Sequence, residues 1–491
     1  MFIRSDQAGP IYQQLYRWMR EAILRGELQP GARLPATRTL AQDAGVSRNT
    51  ILLVYDQLRA EGYVEGHVGA GTFVARELPD DVLRPPPPRS AHPEAVADGA
   101  ALGISAYAKR AQIILSPSMA PSVPNVRFDF RYGLPGVAEF PRDIWRRLLA
   151  RQARRFSSET SRYAHPAGLP RLRQVIADYL RRARAVDCTE DRVIVVNGSQ
   201  QALDLIARTL IDPGDKVLVE EPHYLGAREV FQAAGAELVP CPVDGDGLDI
   251  ERAPAAAAKA RLAYVTPSHQ FPTGAVMPLA RRLALLAWAR KTRAYVVEDD
   301  YDSEFRYGGR PVEAVQALDA AGQVIYVGTM SKTLFPSLRI GFLVLPPALL
   351  KPVLAIKHLS DRHTPTLPQS VLADFIAEGY FERHVRRART QNARRRAALL
   401  EALARTFGDS VTVQGSNAGL HLVAWFPDRP ASDTGVIVAT AAAAGVGVYP
   451  ISPYYLSEPQ SAGLLLGYGA LSERDIDAGI RLLGRALGRE N

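Results

Sequence analysis

The sequence predicts a multidomain protein: a small helical N-terminal module with a β wing, then a large α/β domain with a smaller C-terminal α+β subdomain. Three observations carry this reading. The chain has 491 residues, more than a single hydrophobic core usually organises. Its composition breaks after Ala75: Pro85 to Pro88 form an unbroken run, and prolines recur at 79, 93, 117, 121 and 124. Consecutive prolines favour an extended, semi-rigid spacer. From Phe128 onward, short β-branched runs (Val193 to Val196, Lys216 to Val219, Leu262 to Val265, Ala294 to Val297, Val324 to Val327) alternate with helical segments. That is the pattern of buried parallel strands with helices on both sheet faces, and the segment after about Pro365 reads as the smaller subdomain. The expected boundaries are 1–77 for the N-terminal module, 78–125 for a proline-rich linker and 126–491 for the large domain.

In the N-terminal module, Ile11, Leu15, Trp18, Met19, Ala22 and Ile23 recur at helical spacing until Gly26, predicting a helix from about Pro10 to Leu24. Pro35-Ala36-Thr37-Arg38 opens a second, shorter helix carrying Leu40 and Ala41. Gly45 breaks it, and Ser47 caps a third helix that carries Ile51, Leu52, Val54, Tyr55 and Leu58. Two short helices joined by a tight glycine-containing turn make a helix-turn-helix. Strand-like Gly62-Tyr63-Val64-Glu65 and Thr72-Phe73-Val74-Ala75 flank a tip containing Gly69 and Gly71, which predicts a hairpin wing. Arg48, Asn49 and Thr50 follow Ser47 at the exposed start of the third helix, where a recognition helix meets base edges and phosphates. Arg38 stands at the start of the preceding helix, where a cation can meet a phosphate.

Gly26-Glu27-Leu28-Gln29-Pro30-Gly31, Leu34-Pro35, Gly45-Val46-Ser47-Arg48 and Gly69-Ala70-Gly71-Thr72-Phe73 lie in a run from residue 9 to 75 that resembles the GntR-family winged helix. The resemblance implies that Arg38, the recognition-helix residues Ser47, Arg48, Asn49 and Thr50, and the wing glycines Gly69 and Gly71 approach double-stranded operator DNA.

Net charge does not carry that reading. The chain is +8 at pH 7, yet residues 1–78 hold nine basic and eight acidic side chains. The excess sits in arginine-rich stretches at 142–184 and 383–396, which read as solvated helix faces. No run approaches the eighteen apolar residues of a membrane span. Met1 to Pro10 lack the apolar core of a secretory signal, and the two cysteines, Cys188 and Cys241, lack metal-ligand spacing. A cytoplasmic protein with no membrane partner and no metal is expected.

The chemistry of the large domain centres on Lys332 in YVGTMSKTLFPSLRIGF. A lysine that forms a Schiff base with an aldehyde cofactor points to pyridoxal 5'-phosphate (PLP). That cofactor also needs an acid for its pyridine nitrogen, and cations and backbone donors for its phosphate. Each is present. Asp299 follows the run Ala294 to Val297, at a strand end, where open α/β sheets place ligand groups. Arg339 follows the lysine by seven residues. Asn197-Gly198-Ser199-Gln200-Gln201, between a strand and a helix, offers the Ser199 hydroxyl and backbone N–H groups, that of Gln200 among them, to the same phosphate.

Their joint order resembles class I, fold-type I aminotransferases over roughly residues 128–488. That resemblance implies that Tyr301 hydrogen-bonds the ring hydroxyl, Thr329 and Ser331 flank the phosphate, and Tyr224 in EEPHYLG stacks on the ring. It also implies that Tyr163, in YAHPAGLPRLR, reaches the phosphate of a neighbouring subunit. Two departures matter. In TPSHQFPTG, Phe271 stands before Pro272, where aminotransferases usually carry an asparagine that bonds the ring oxygen. Either Gln270 or His269 supplies that bond, or it is missing. LLLGYGAL shows no arginine where an aminotransferase commonly holds its substrate carboxylate, so the domain is expected to sense rather than to transaminate efficiently.

The fusion of the two parts, with the strings SHQFPTG and EDDYDSEF, resembles the MocR subfamily of GntR-family regulators. It implies a homodimer, each DNA-binding domain packing over its partner's large domain, in which PLP, alone or joined to an amine or amino acid effector, controls operator binding. Two other readings stay open. One is a catalytically active aminotransferase that also binds DNA; the other is a DNA-binding protein whose aminotransferase fold is an inert dimerisation platform.

Overall fold

The computed structural model describes residues 10–67, 71–79, 103–114, 126–155, 162–308 and 313–488. The chain divides into two compact units, Met1–Gly103 and Ile104–Asn491. Gly69 of the expected wing tip and the run Pro85 to Pro88 lie outside the described residues.

The first unit is built on α1 (Ile11–Leu24), α2 (Thr37–Ala44) and α3 (Arg48–Ala60). Leu15, Met19 and Ile23 of α1 share a core with Ile51, Val54 and Leu58 of α3. α2 ends on Gly45 at φ +66°, a left-handed conformation that glycine adopts without a Cβ penalty, so the chain turns at once into α3. β1 (Val64–His67) and β2 (Gly71–Val74) pair antiparallel, Val64 opposite Val74 and His67 opposite Gly71, and form the expected wing. Leu52, read from sequence as part of the apolar face of α3, is 37% exposed. Helical geometry puts 51, 54, 55 and 58 on one stripe and 52 off it.

The second unit begins with a helix, Ala106–Ile114, inside the segment read from sequence as linker. It runs against the helix Leu225–Ala234, and Arg110 Nε donates to the Ala233 carbonyl at 2.9 Å. None of its residues is buried, so it left no apolar periodicity to read. After β3 (Phe128–Asp129) come the strands of the main sheet: β4 (Val193–Val196), β5 (Lys216–Glu221), β6 (Glu237–Asp244), β7 (Gly247–Leu248), β8 (Ala260–Val265), β9 (Tyr295–Asp300), β10 (Val324–Thr329) and β11 (Gly341–Val344). Their order is β4-β11-β10-β9-β8-β5-β6-β7. The five from β10 to β6 are parallel, β11 runs antiparallel to both β10 and β4, and β7 pairs antiparallel with β6.

Alternate residues feed two cores. Val193 and Val195 pack with Leu148, Leu172 and Val371, while Ile194 and Val196 pack with Leu203 and Phe231. Both faces of the sheet are therefore covered by helices, which is why its strands read as unbroken apolar runs. The five runs read as strands lie in β4, β5, β8, β9 and β10. β6 went unread because Pro240 and Pro242 interrupt it, which a strand near a sheet edge tolerates.

The smaller subdomain holds a four-stranded sheet of β12 (Thr412–Gln414), β13 (His421–Phe426), β16 (Ala462–Gly467) and β15 (Tyr449–Pro450) in that order, and β14 (Val446–Gly447) pairs parallel with β3. Its core takes in Phe128 and Phe130 from the start of the unit. The helix Thr366–Ala377 instead packs Val371, Leu372 and Phe375 into the core of the main sheet. The long helix Tyr380–Phe407 spans both cores: Phe381 and Val385 pack into that of the main sheet, and Leu399, Leu403 and Phe407 into that of the subdomain, so the subdomain's core begins later than Pro365. Two arginines read as solvated are also structural: Arg184 pairs with Asp300 at 2.8 Å, and Arg395, 6% exposed, pairs with Glu139. Among the described residues, no helix is long and apolar enough to cross a membrane.

Candidate functional site

A pocket opens at the carboxyl ends of β9 and β10, where parallel sheets place ligand groups. Lys332, just beyond β10, lines it and donates from Nζ to the Gly133 carbonyl at 3.0 Å. The backbone approach is close: a Cβ at Gly133 would lie 2.6 Å from that amine. Burial pulls the Lys332 amine below its ordinary value, while Asp302 and Asp299 pull it back up.

Asp299, on β9, is 5% exposed. Its Oδ2 accepts the Tyr264 hydroxyl at 2.8 Å, and its Oδ1 is buried with no partner among the described residues. Burial pushes its carboxyl up to about 7, against the bond from Tyr264 and the charge of Lys332.

A cationic rim completes the pocket. Arg339 donates from Nη2 to the Asn197 carbonyl at 2.8 Å, beside the N-terminus of the helix Ser199–Leu210. Gly198 makes this possible, since a Cβ there would lie 2.8 Å from Arg339 Nη2. Ser199, Thr329 and Ser331 line the same pocket, and Ser331 N–H donates to Thr329 Oγ1 at 3.2 Å. Tyr224 and Tyr301 line it from the aromatic side, each meeting Phe271 edge-on.

These groups fit PLP in kind. An unpartnered buried carboxylate oxygen suits a pyridinium N–H, a desolvated amine suits an aldehyde, and a guanidinium beside a helix N-terminus suits a phosphate. Of the other residues expected there, Gln200 turns its side chain to the Gly226 carbonyl at 3.1 Å, so what it presents at the helix start is its backbone N–H. Tyr163 is 87% exposed and stands edge-on to His363, away from this pocket.

In the first unit, Arg38, Ser47, Arg48 and Asn49 are exposed and Thr50 is half-buried, all at the N-terminal ends of α2 and α3. Ser47 has a structural task as well: its Oγ accepts the Thr50 N–H at 3.1 Å and caps α3. Ser47→Ala is expected to destabilise this unit by about 1 kcal/mol, read as a lower midpoint of its thermal unfolding. Gly71, at φ +114°, leaves room for Arg33, which a Cβ would meet at 3.1 Å.

Residues 11–74 match the family described as bacterial regulatory proteins, gntR family, and residues 139–461 match aminotransferase class I and II. The chain is 41% identical, over 99% of its length and 95% of that protein, to the probable rhizopine catabolism regulatory protein MocR of Rhizobium meliloti. The chain belongs to the MocR subfamily of GntR-family transcriptional regulators. The pyridoxine biosynthesis transcriptional regulator PdxR of Corynebacterium glutamicum is 31% identical over 96% of this chain and 94% of its own. Among solved structures, the α-aminoadipate aminotransferase LysN of Thermus thermophilus, complexed with N-(5'-phosphopyridoxyl)-L-leucine, superimposes with a TM-score of 0.71. It is 28% identical and covers 78% of this chain and 97% of its own. As a MocR-type regulator, the chain joins a DNA-binding winged helix to a domain with the fold of PLP-dependent aminotransferases.

Several residues at the pocket of this MocR-type chain carried no signal in the sequence. Tyr264, which holds Asp299, sits in the apolar run LAYV and looked like core. Tyr132, Asp302 and His421 also line the pocket. Of the two candidates for the ring-oxygen bond, Gln270 is already engaged. Its Nε2 donates to the Pro222 carbonyl at 2.7 Å, and its Oε1 accepts from Thr273 Oγ1 at 2.6 Å. His269 reaches Tyr301, not the pocket itself.

Proposed function

We propose that this chain is a homodimeric regulator in which PLP, alone or joined to an amine effector, controls binding to operator DNA. The observation that carries the reading is the orphaned oxygen of Asp299 in one pocket with the Lys332 amine and the Arg339 guanidinium. Three parts of one cofactor call for those three groups. On this reading Lys332 takes the aldehyde, and Asp299 the pyridine nitrogen. Arg339, Ser199, Thr329, Ser331 and the Gln200 N–H take the phosphate. Tyr224 covers a ring face, Tyr301 meets the ring hydroxyl, and Tyr163 serves the partner's phosphate. Bound PLP supplies an aldehyde that a primary amine can capture.

The chain's own residues do the rest. The depressed basicity of Lys332 makes its neutral, nucleophilic form more accessible than that of a surface lysine. Arg38, Ser47, Arg48, Asn49 and Thr50, with Gly69 and Gly71 of the wing, meet operator DNA. A ligand alters that contact only by binding one arrangement of the dimer more tightly than another. The working boundaries are 1–77, 78–125 and 126–491, and a protein whose target is operator DNA works in the cytoplasm.

The test is an absorbance spectrum of the purified protein with PLP, wild type beside Lys332→Ala, followed by operator binding with and without PLP and candidate amines. A visible band that requires Lys332, and an operator affinity that ligand changes by about 5-fold or more in wild type alone, are expected. A Lys332→Ala protein that keeps its full ligand response overturns the reading. Repeated turnover of an amine with a keto acid would mark the domain as a working aminotransferase instead.

A further inference from the structure

Phe271 offers no hydrogen bond where an aminotransferase has asparagine, and behind it the fold builds a different device. His269, 1% exposed, has its Nδ1 3.1 Å from both carboxylate oxygens of Asp302 and 2.9 Å from the Tyr301 hydroxyl. The imidazole sits in a slot made by two glycines. A Cβ at Gly419 would lie 1.9 Å from its Cε1, and one at Gly274 would lie 3.0 Å from its Nε2. His421 flanks it with ring centroids 4.9 Å apart, and is itself held by the Pro272 carbonyl, 3.1 Å from Nε2.

Hydrogen-bond chemistry sets the direction. A buried carboxylate facing Nδ1 with both oxygens requires that nitrogen to carry its proton as a donor. Nδ1 then has no lone pair for Tyr301, so its one hydrogen is shared between Asp302 and the tyrosine oxygen, which accepts at that contact. The tyrosine's own hydrogen is left for the pocket, which Tyr301 lines.

We propose that His269, locked by Asp302, is a positioning residue that makes Tyr301 a hydrogen-bond donor into the pocket. One tyrosine thereby supplies the bond to the PLP ring oxygen that aminotransferases make with tyrosine and asparagine together, a role that rests on the cofactor reading above. The other charged and titratable groups around this cluster are Asp299, Asp300, Glu220, Lys332, His421, Tyr307 and Tyr468, and all of them stay in place in the variants below.

The experiment is a pH titration of the visible absorbance of PLP bound to the full-length protein, with thermal unfolding recorded for each variant. A donor at the ring oxygen favours the deprotonated form, so losing it raises the midpoint. Tyr301→Phe is expected to raise it by about one pH unit, the size of one hydrogen bond to a charged group. His269→Ala should raise it by a similar amount, and the double variant by no more than either alone. Asparagine at 269 can place an amide N–H where Nδ1–H stood, whereas glutamine reaches the Nε2 position. His269→Asn should therefore keep the wild-type midpoint, and His269→Gln should shift like alanine. The asparagine and glutamine pair also decides the matter should the alanine variant fail to fold. An unmoved midpoint in His269→Ala, additive shifts in the double variant, or equal behaviour of asparagine and glutamine overturns the role of His269 alone. A wild-type protein with no Lys332-dependent band overturns the cofactor reading, and this role with it.

Discussion

Asparagine at position 299 is expected to weaken PLP binding about 100-fold and to leave the cofactor-free protein at least as stable as wild type at neutral pH. Both effects follow from one buried carboxyl. It is pushed from its ordinary 3.8 up to about 7, mainly by burial, with Asp300 adding to the shift and the Tyr264 hydrogen bond and Lys332 opposing it. Between those two values the native protein holds a proton that the unfolded chain has released. Stability therefore falls as pH rises from 3.8 to about 7 and levels off above it. Asparagine cannot ionise, and so removes that dependence. Glu304 is also pushed up to about 7 and keeps its dependence, whereas Glu220, likewise raised to about 7 and in part by Asp299, should relax toward its ordinary value, so the difference between variant and wild type reports Asp299 together with its effect on Glu220.

A pyridinium N–H at Oδ1 would give the carboxylate the partner it lacks, so ligand and pocket each relieve the other's buried charge. Thermal unfolding at pH 5 and pH 8, with and without PLP, separates the two effects. Wild type should gain stability from PLP in proportion to the logarithm of its concentration, and the variant should gain little. A variant that binds PLP as tightly as wild type would remove Asp299 from the cofactor site.

Lys332, Asp299, Arg339 and Ser199, which line one pocket, could be singled out in the sequence because PLP would demand different chemical groups in a fixed order. Asp299, moreover, stands at the end of β9, Lys332 just beyond β10, and Ser199 at the start of the helix that follows β4. Their supports are not legible in this way. Tyr264 lies 35 positions from Asp299 and reads as core until the two strands are placed side by side. His421 reaches the cluster from the smaller subdomain, and Asp302 looked like one more acid in EDDYDSEF. Phe271 could be read as a loss, but the bond from His269 to Tyr301 depends on a turn that brings 269 against 301. The same limit applies to the fold. An apolar run marks strands such as β4, whereas β3 is only two residues long and set by its pairing with β14, and the helix Ala106–Ile114 buries none of its residues, so neither leaves a pattern.

Arg282 shows how far a tertiary partner can change the meaning of a residue. In LARRLALL it reads as one of two adjacent helix-surface arginines, but it is 0% exposed. It donates to the carbonyls of Met277 at 2.8 Å, and of Glu313 and Pro267 at 2.9 Å, and stands 3.8 Å from the fully buried Glu298. Glu298 in turn accepts the N–H groups of Val315 and Gln316 at 2.9 Å. Arg282→Ala leaves that carboxylate without its cation and the Met277 and Glu313 carbonyls without this donor, a loss expected to destabilise the second unit by about 3–5 kcal/mol. Arg281, half-buried and paired with the exposed side chain of Asp244, is the internal control: that carboxylate stays within reach of water, so the alanine variant should cost less, about 1 kcal/mol. Urea unfolding followed by near-ultraviolet circular dichroism measures both, and equal losses would refute the distinction. Because Glu298 immediately precedes Asp299 on β9, the Arg282 variant should also lose PLP affinity, whereas the Arg281 variant should keep it. The same buried pair would then hold the sheet together and hold the cofactor's acid in place.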